Sequence, residues 1–165
     1  MGSGDVSAPA CKCQFETDYE KAYAIAKELA AHGDVPIETV LPAVSADKID
    51  DWEILCDCRD PDRVIAGGRK EKNDWYLVTM KNFFTVPEHR KKGHATEILV
   101  RLMDRAKKEV NPAVMAADIT FDNEASKATF RKQGFNEVTR FCYEKGEPPA
   151  DIVHFVRTKA ENDKC

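Results

Sequence analysis

The clearest pattern of apolar and polar positions lies in the middle of the chain. Over residues 98–110 apolar side chains recur every three or four positions, and charged side chains fill the positions between them. A spacing of this kind puts the apolar side chains on one helical face, so it predicts an amphipathic helix packed on a sheet. The predicted buried face consists of Ile98, Leu99, Leu102, Met103, Ala106 and Val110.

Two further helices are predicted from their ends. Thr17 and Glu20 have the spacing of a capping box, and Gly33 is a plausible stop, so a helix is expected between them. Its apolar face is predicted to contain Tyr19, Ala22, Tyr23, Ala26, Leu29 and Ala30. A last helix should start at Asn123, which can act as its cap, and end before Gly134.

The remaining apolar runs have the length and composition of strands. Between residues 34 and 51 the apolar pattern is interrupted by Pro42, which predicts one short helix or two broken pieces. The strand that follows the amphipathic helix gives a βαβ unit and hence a parallel pair of strands. The predicted strands are Ala10–Phe15, Trp52–Cys58, the strand beginning Val64–Gly68, Trp75–Val86, Ala113–Phe121, Phe135–Tyr143 and Asp151–Arg157.

Length, composition and net charge limit which kinds of protein this chain can be. The chain has 165 residues, of which 42% are apolar and 33% charged, and a formal net charge of −4. This is enough for one domain, expected at residues 10–157, with flexible ends at residues 1–9 and 158–165. The negative charge argues against a nucleic-acid partner. No apolar run approaches the roughly 20 residues that span a bilayer. Without a membrane or secretion signal, a cytoplasmic location is expected.

Four of the six cysteines form two Cys-x-Cys pairs, at Cys11 and Cys13 and at Cys56 and Cys58. On a strand, both members of such a pair point to one face. If the two strands were neighbours, four thiolates could gather around zinc. Because Cys-x-Cys spacing is a weak metal signal, reduced thiols are the expected state and no metal is assigned.

The loop before the amphipathic helix carries the candidate chemistry. Gly93 lets the backbone turn and a ligand approach closely, and small Ala95 keeps the first helical turn uncrowded. The helix start supplies free N–H groups and partial positive charge, so it suits a phosphate. Three basic residues, Arg90, Lys91 and Lys92, raise the local potential for an anion.

Two stretches resemble the Gcn5-related N-acetyltransferases, the GNAT family. The loop VPEHRKKGHA, at residues 86–95, is similar to the family's pyrophosphate-binding motif, and NEASKATFRKQGF, at residues 123–135, is similar to its Asn-containing segment. The order of elements around them also resembles the family's. The resemblance implies an α/β fold with a splayed, mixed and mostly antiparallel sheet, flanked by helices on both faces.

The resemblance further implies acetyl-CoA as the donor. Carried over by position, Phe84, Thr85 and Val86 would lie along the pantetheine arm. The pyrophosphate would be held by the loop, Asn123 would face the cofactor, and Phe130 would lie near the thioester sulfur, where the family often has tyrosine. The loop positions concerned are Arg90, Lys91, Lys92, Gly93, His94, Ala95 and Thr96.

The implied reaction is direct attack of a primary amine on the thioester. Phe130 has no hydroxyl, so the thiolate leaves unassisted or takes a proton from another group such as Tyr143, Cys142 or Tyr76. Glu88 and Asp118 are the leading candidates for the base; other open candidates are Asp74, Asp122, Glu53, His89 and His94.

The acceptor is a small-molecule or peptide amine. The acidic segment at residues 34–53 favours a cationic one, and a homodimer is left open. The main alternative to an enzyme is a catalytically weak acyl-CoA-binding regulatory or interaction module, because the usual tyrosine is missing.

Overall fold

A computed structural model describes residues 9–45, 48–144 and 149–159. The chain ends, which are predicted to be flexible, therefore lie largely outside the described residues. Besides short 3-10 turns, these residues form four helices and seven strands. The helices are α1 (Asp18–Gly33), α2 (Ile37–Val40), α3 (His94–Glu109) and α4 (Glu124–Lys132). The strands are β1 (Ala10–Cys11), β2 (Trp52–Asp57), β3 (Asp60–Asp74), β4 (Leu77–Thr85), β5 (Val114–Thr120), β6 (Asn136–Tyr143) and β7 (Ala150–Thr158).

The seven strands form one sheet in the order β1-β2-β3-β4-β5-β7-β6. The pair β4 and β5 is parallel, from Leu77 opposite Val114 to Met80 opposite Ala117. The neighbouring pairs β1–β2, β2–β3, β5–β7 and β6–β7 are antiparallel. The predicted mixed, mostly antiparallel fold is thus confirmed. None of the described helices is long and apolar enough to cross a membrane.

The chain divides into two compact units. The first contains the chain up to Arg69 together with Asn82–Ile98, and the second contains Lys70–Lys81 together with the chain from Leu99 onward. The single domain at residues 10–157 stays a prediction.

The core of the first unit lies around α1, β2, β3 and the end of β4. Its buried members are Ala22, Ile25, Ala26, Val44, Ile49, Trp52, Ile54, Cys56, Val64 and Phe84. In the second unit the largest fully buried side chains include Phe135, Phe155, Leu99 and Leu102. The aromatic rings of Phe130 and Phe135 meet edge to face at 5.0 Å between centroids.

The predicted caps at Thr17 and Asn123 are confirmed, whereas the second half of the capping box and the stop of α1 differ from the prediction. The N–H of Glu20 donates to Thr17 Oγ1 at 3.1 Å, and the N–H of Ser126 donates to Asn123 Oδ1 at 3.2 Å. Glu20 reaches back to the N–H of Glu16 rather than to that of the cap residue. The stop of α1 is carried by Asp34, which takes the left-handed conformation at φ 51°.

The predicted apolar face of α1 is partly wrong. Ala22, Ala26 and Ala30 are buried as expected, together with Ile25, whereas Tyr19 is 75% exposed and Tyr23 46% exposed. The core beneath this helix is filled by small and aliphatic side chains, which leaves the two tyrosine rings at the surface. On α3, the five residues from Ile98 to Ala106 of the predicted face are all buried.

Several predicted boundaries also shift. The first strand ends at Cys11 instead of Phe15. β3 runs to Asp74, so a turn lies at Trp75 and Tyr76, where the next strand is predicted to begin. Between residues 34 and 51 the described residues form three short helical pieces, at Ile37–Val40, Leu41–Val44 and Ile49–Asp51, where the sequence predicts one short helix or two pieces.

The prediction of reduced cysteines is wrong for this structure. Disulfides join Cys11 to Cys58 and Cys13 to Cys56, with Cα atoms 4.9 and 5.0 Å apart. Cys11 lies on β1 opposite Cys56 on the antiparallel strand β2, and Cys13 and Cys58 lie just beyond the ends of these strands. Each bond therefore joins residues that are diagonal to one another across the strand pair. Cys142 is exposed and free.

The space around Gly67 shows how closely β3 packs against the end of β4. A Cβ atom there would lie 2.7 Å from Cε1 of Phe84 and 3.1 Å from Cγ2 of Ile54. Gly67→Ala should therefore lower the free energy of unfolding by about 1–3 kcal/mol through overpacking. Urea unfolding with the disulfides intact measures this. Gly33→Ala is the control, because its nearest contact is an ordinary 3.7 Å. Equal midpoints for the two variants would contradict the packing argument.

Candidate functional site

The loop between β4 and α3 is held in a defined shape in the first unit. The N–H of Val86 donates to the carbonyl oxygen of Ile65 at 2.8 Å, which ties the end of β4 to β3. A 3-10 turn follows at Pro87–His89. The backbone then enters the left-handed region twice, at Lys91 with φ 62° and at Gly93 with φ 81°, before α3 begins at His94. The chain thus reverses into the helix start.

The space in front of Gly93 is open. A Cβ atom built on Gly93 would have no neighbouring atom within 4 Å among the described residues. The carbonyl of Gly93 accepts from the N–H of Glu97 at 3.0 Å, so Gly93 closes the first helical turn. The N–H groups that precede Glu97 at a helix start have no intrahelical acceptor and point outward. The local geometry is therefore that of an anion site.

Two of the three basic loop side chains brace the loop. Arg90 Nε donates to the carbonyl oxygen of Thr85 at 3.2 Å, and Lys92 Nζ donates to that of Glu88 at 3.1 Å. Arg90 also contacts Nδ1 of His32 on α1 at 3.4 Å. Their charges still add to the positive potential at the helix start, while their side chains maintain its shape.

A pair of histidines lies beneath this loop. His89 is 4% exposed, and its ring centroid is 6.1 Å from that of the half-buried His94. Nδ1 of His89 and Nε2 of His94 are buried and have no hydrogen-bond partner among the described residues. Burial, followed by the charge of His89, lowers the pKa of His94. His94 is therefore kept neutral near pH 7.

A groove of about 720 Å³ opens beside α1 and the start of β3, also in the first unit. Five carboxylates line it against two cations, Lys27 and Arg63. The stacked rings of Tyr19 and Tyr23, 6.4 Å apart, form part of its wall. The carboxylates belong to Glu16, Glu20, Glu28, Asp60 and Asp62. The groove is therefore acidic and partly aromatic.

Glu28 differs from the other carboxylates of the groove because it is half-buried. Desolvation by burial raises the pKa of Glu28, and this outweighs the opposite effect of the Arg63 guanidinium. A carboxylate with a raised pKa in a cleft is a better proton acceptor near neutral pH. Sequence reasoning missed Glu28, because its burial depends on how α1 packs.

Glu88, one of the predicted bases, lies at the edge between groove and loop. Arg63 Nη2 contacts Glu88 Oε1 at 2.9 Å. The hydrogen bond from its own backbone and that from Arg63 lower the pKa of Glu88, which is fully exposed. A lowered pKa makes Glu88 a weaker base than an ordinary glutamate.

Four further predicted site residues lie in the second unit: Asp118, Asn123, Phe130 and Tyr143. Asp118 Oδ1 is 2.6 Å from Nδ1 of His154, its partner across the β5–β7 ladder. This pairing was not predicted, because the sequence does not specify which strand lies beside β5. Tyr143 is 50% exposed at the end of β6, and Phe130 is 3% exposed. The Asn123 side chain caps α4. The predicted roles of these residues stay predictions.

A strand that leads through a glycine turn into the N-terminus of an amphipathic helix is an arrangement that suits an anion such as a phosphate. The family model of the acetyltransferase (GNAT) family matches the chain over residues 19–135. The chain belongs to this family, which confirms both the predicted family and its class as an acyltransferase. No curated protein sequence matches the chain.

Solved structures share the fold at low identity. A chain of the NatC complex bound to Gag peptide and CoA is 14% identical with a TM-score of 0.74, and the match covers 92% of this chain and 98% of that one. A putative acetyltransferase from Salmonella typhimurium with its cofactor acetyl-CoA is 20% identical with a TM-score of 0.67, covering 90% and 93%. NAA60 of Arabidopsis thaliana, in complex with a bisubstrate analogue, is 15% identical with a TM-score of 0.68, covering 91% and 98%.

The lowered pKa of the half-buried His94 predicts how the stability of the fold changes with pH. The pKa of His94 is lowered in the folded state from an ordinary value near 6.5. As the pH falls below about 6.5, the unfolded chain takes up this proton first, so folding stability decreases until the folded pKa is reached. The difference in free energy of unfolding between wild type and His94→Gln should therefore change in this window and be constant above it. Denaturant unfolding across the acidic range measures it, and parallel curves would contradict the assignment.

Proposed function

We propose that this chain transfers the acetyl group of acetyl-CoA to a primary amine by direct attack. The observation that carries the proposal is the open loop at Gly93, which presents a helix N-terminus to an anion directly after β4. The family membership and the CoA or acetyl-CoA named for two structures of the same fold support it.

The donor would be held mainly by backbone groups of this loop. The pyrophosphate would lie on the N–H groups at the start of α3, in the open space in front of Gly93, where Lys91 adds positive charge. The backbone of Phe84, Thr85 and Val86 would run beside the pantetheine arm. The N–H of Val86 and the C=O of Thr85 are hydrogen-bonded to Ile65 and Arg90, and these bonds hold the strand end in place beside the loop.

In the proposed reaction the amine nitrogen attacks the thioester carbonyl. A C–N bond forms, the C–S bond breaks, and CoA leaves as a thiolate that takes its proton from solvent or from a side chain such as Tyr143. The amine proton passes to a base. The buried ring of Phe130 supplies no proton, so catalysis depends on positioning and on removal of the amine proton.

The groove beside α1 would receive the acceptor. Its excess of carboxylates attracts a protonated amine, and the exposed faces of Tyr19 and Tyr23 can contact a cation or an alkyl chain. The Arg63–Glu88 ion pair joins this groove to the loop within the same unit. The acidic groove thus supports the proposal of a cationic acceptor. Its lining comes from residues 14–28 and 60–64 and not from the acidic segment at residues 34–53, so the role predicted for that segment stays a prediction.

Glu28 is the base that we favour over Glu88 and Asp118. It lines the acceptor groove, and its raised pKa suits proton uptake near pH 7. Glu88 is weakened by Arg63, and Asp118 is held by His154 at 2.6 Å. A water molecule could relay the proton if the amine and the carboxylate do not touch.

A catalytically weak acyl-CoA-binding module remains the alternative proposal, since the usual tyrosine is replaced by buried Phe130. Release of free thiol from acetyl-CoA in the presence of a panel of amines distinguishes the two proposals. Turnover with any primary amine supports the enzyme, whereas tight CoA binding without turnover supports the module. The cytoplasmic location and the homodimer stay predictions.

Substitution of Gly93 tests the donor site. Gly93→Asn tolerates a positive φ but fills the open space, and Gly93→Val also strains the backbone. Both should weaken CoA binding by roughly tenfold or more, equivalent to about 1.4 kcal/mol. Isothermal titration calorimetry with CoA measures this, with Gly134→Asn in the second unit, at φ 87°, as the matched positive-φ glycine control. Unchanged affinity in both Gly93 variants would refute the assignment of the loop.

Two carboxylate variants separate the base from the acceptor surface. Glu28→Gln should lower kcat by about a hundredfold or more, and raising the pH should restore part of it by deprotonating the amine. Glu16→Gln should instead raise KM severalfold for a cationic amine and leave KM for a neutral amine unchanged, because only charge attraction is lost. Steady-state kinetics with a polyamine and an uncharged amine distinguish them. An unchanged kcat in Glu28→Gln would remove Glu28 from the mechanism without affecting the proposed donor.

A further inference from the structure

The four cysteines at the β1–β2 edge form one cluster rather than two separate disulfides. Cys13 is bonded to Cys56, and Cys11 is bonded to Cys58. In the strand ladder, however, the residue opposite Cys11 is Cys56. Cys56 is therefore a neighbour of both Cys11 and Cys13. All four sulfurs lie within one patch of the first unit.

We propose that this cluster binds one zinc ion through four thiolates when it is reduced. Four cysteine thiolates are the ligand set of many structural zinc sites, with Zn–S distances of about 2.3 Å and hence sulfurs about 3.8 Å apart. The Cα atoms are 4.9 Å apart in one bonded pair and 5.0 Å apart in the other, so the two side chains of each pair already converge. The ladder pairing of Cys11 with Cys56 brings one member of each pair next to the other pair. Each sulfur pair must separate by only about 1.7 Å from its disulfide distance.

The strand arrangement allows this small movement. β1 contains only Ala10 and Cys11 and is held by two ladder pairs to β2. Cys11 is exposed, Cys13 and Cys58 are half-buried, and Cys56 is buried. A terminal strand of this length can shift on its neighbour while Cys56 stays in the core. The metal would lie at the surface, with the core on one side.

The redox and proton changes balance as follows. Reduction of both disulfides takes four electrons from two molecules of a phosphine, and two water molecules supply the four protons and the oxygen atoms of the two phosphine oxides formed. Binding of Zn²⁺ then displaces the four thiol protons and leaves a centre with two negative charges. In the oxidised form, no three His, Cys, Asp or Glu side chains in the described ranges are arranged to hold a metal.

The N-terminal segment would then be cross-linked to β2 in either redox environment, by disulfides when oxidised and by zinc when reduced. Disulfides persist in oxidising compartments and are rare in the cytosol. The segment that follows Cys13 supplies Gln14, Phe15 and Glu16 to the wall of the acidic groove. Zinc would keep this segment attached to β2 where the disulfides cannot form. The inference does not depend on the proposed acetyl transfer.

Cobalt binding to the full-length chain tests the site. The chain is reduced with a phosphine without oxygen, freed of metal and titrated with Co²⁺, then with Zn²⁺. We expect one Co²⁺ per chain, with the thiolate charge-transfer and strong d–d absorption of a tetrahedral site, and displacement by one Zn²⁺. Cys11→Ser and Cys58→Ser should each weaken metal binding at least tenfold. Cys142→Ser combined with Cys165→Ser is the control and should bind as wild type does.

Each outcome decides the question. Absence of tetrahedral cobalt absorption in the reduced wild type would overturn the proposal, and so would equal binding by the Cys11→Ser and Cys58→Ser variants. If the reduced apo chain loses helix content, zinc should restore the circular dichroism of the oxidised chain. A reduced chain that neither binds Co²⁺ nor regains its structure with zinc would also overturn it.

Discussion

The contact between β3 and the end of β4 is the constraint on which the candidate site depends. Along these strands Ile65 meets Val86, Gly67 meets Phe84, and Arg69 hydrogen-bonds Asn82 at 2.7 Å. Residue numbers rise along β3 as they fall along β4, so the two segments run antiparallel. Asn82 has φ 58°, a left-handed conformation that asparagine tolerates, so β4 bends locally without losing this partner. The loop therefore starts from a fixed point.

Charge is divided sharply within the first unit. The loop at the start of α3 is basic, and the groove beside α1 is acidic. The Arg63–Glu88 ion pair lies at their boundary and pairs one residue of each sign. An anionic donor would thus be attracted to the basic loop and a cationic acceptor to the adjacent acidic groove. The groove would repel the donor, and the loop would repel the acceptor. This arrangement needs no net charge, which is why the overall value of −4 says little about either surface.

The N-terminal segment shows how a weak sequence signal becomes specific in the fold. Cys-x-Cys spacing by itself indicates only that two thiols share a face. Once β1 lies antiparallel to β2, the same spacing brings two pairs of sulfurs together. Such cross-links reduce the conformational freedom of the unfolded chain, and those closing long loops do so most. Here the bonded residues are 47 and 43 positions apart in sequence.

The sequence by itself determined the local features: the buried face of α3, the caps at Thr17 and Asn123, and the glycine turn at Gly93. Each depends on residues within a few positions of one another, and periodicity or capping chemistry describes such relations fully. Only the tertiary structure decided which strand lies beside which. Strand pairing gave the disulfides and joined Asp118 to His154, and helix packing buried Glu28 while exposing Tyr19. Burial and partner identity depend on residues distant in sequence, which no local pattern encodes.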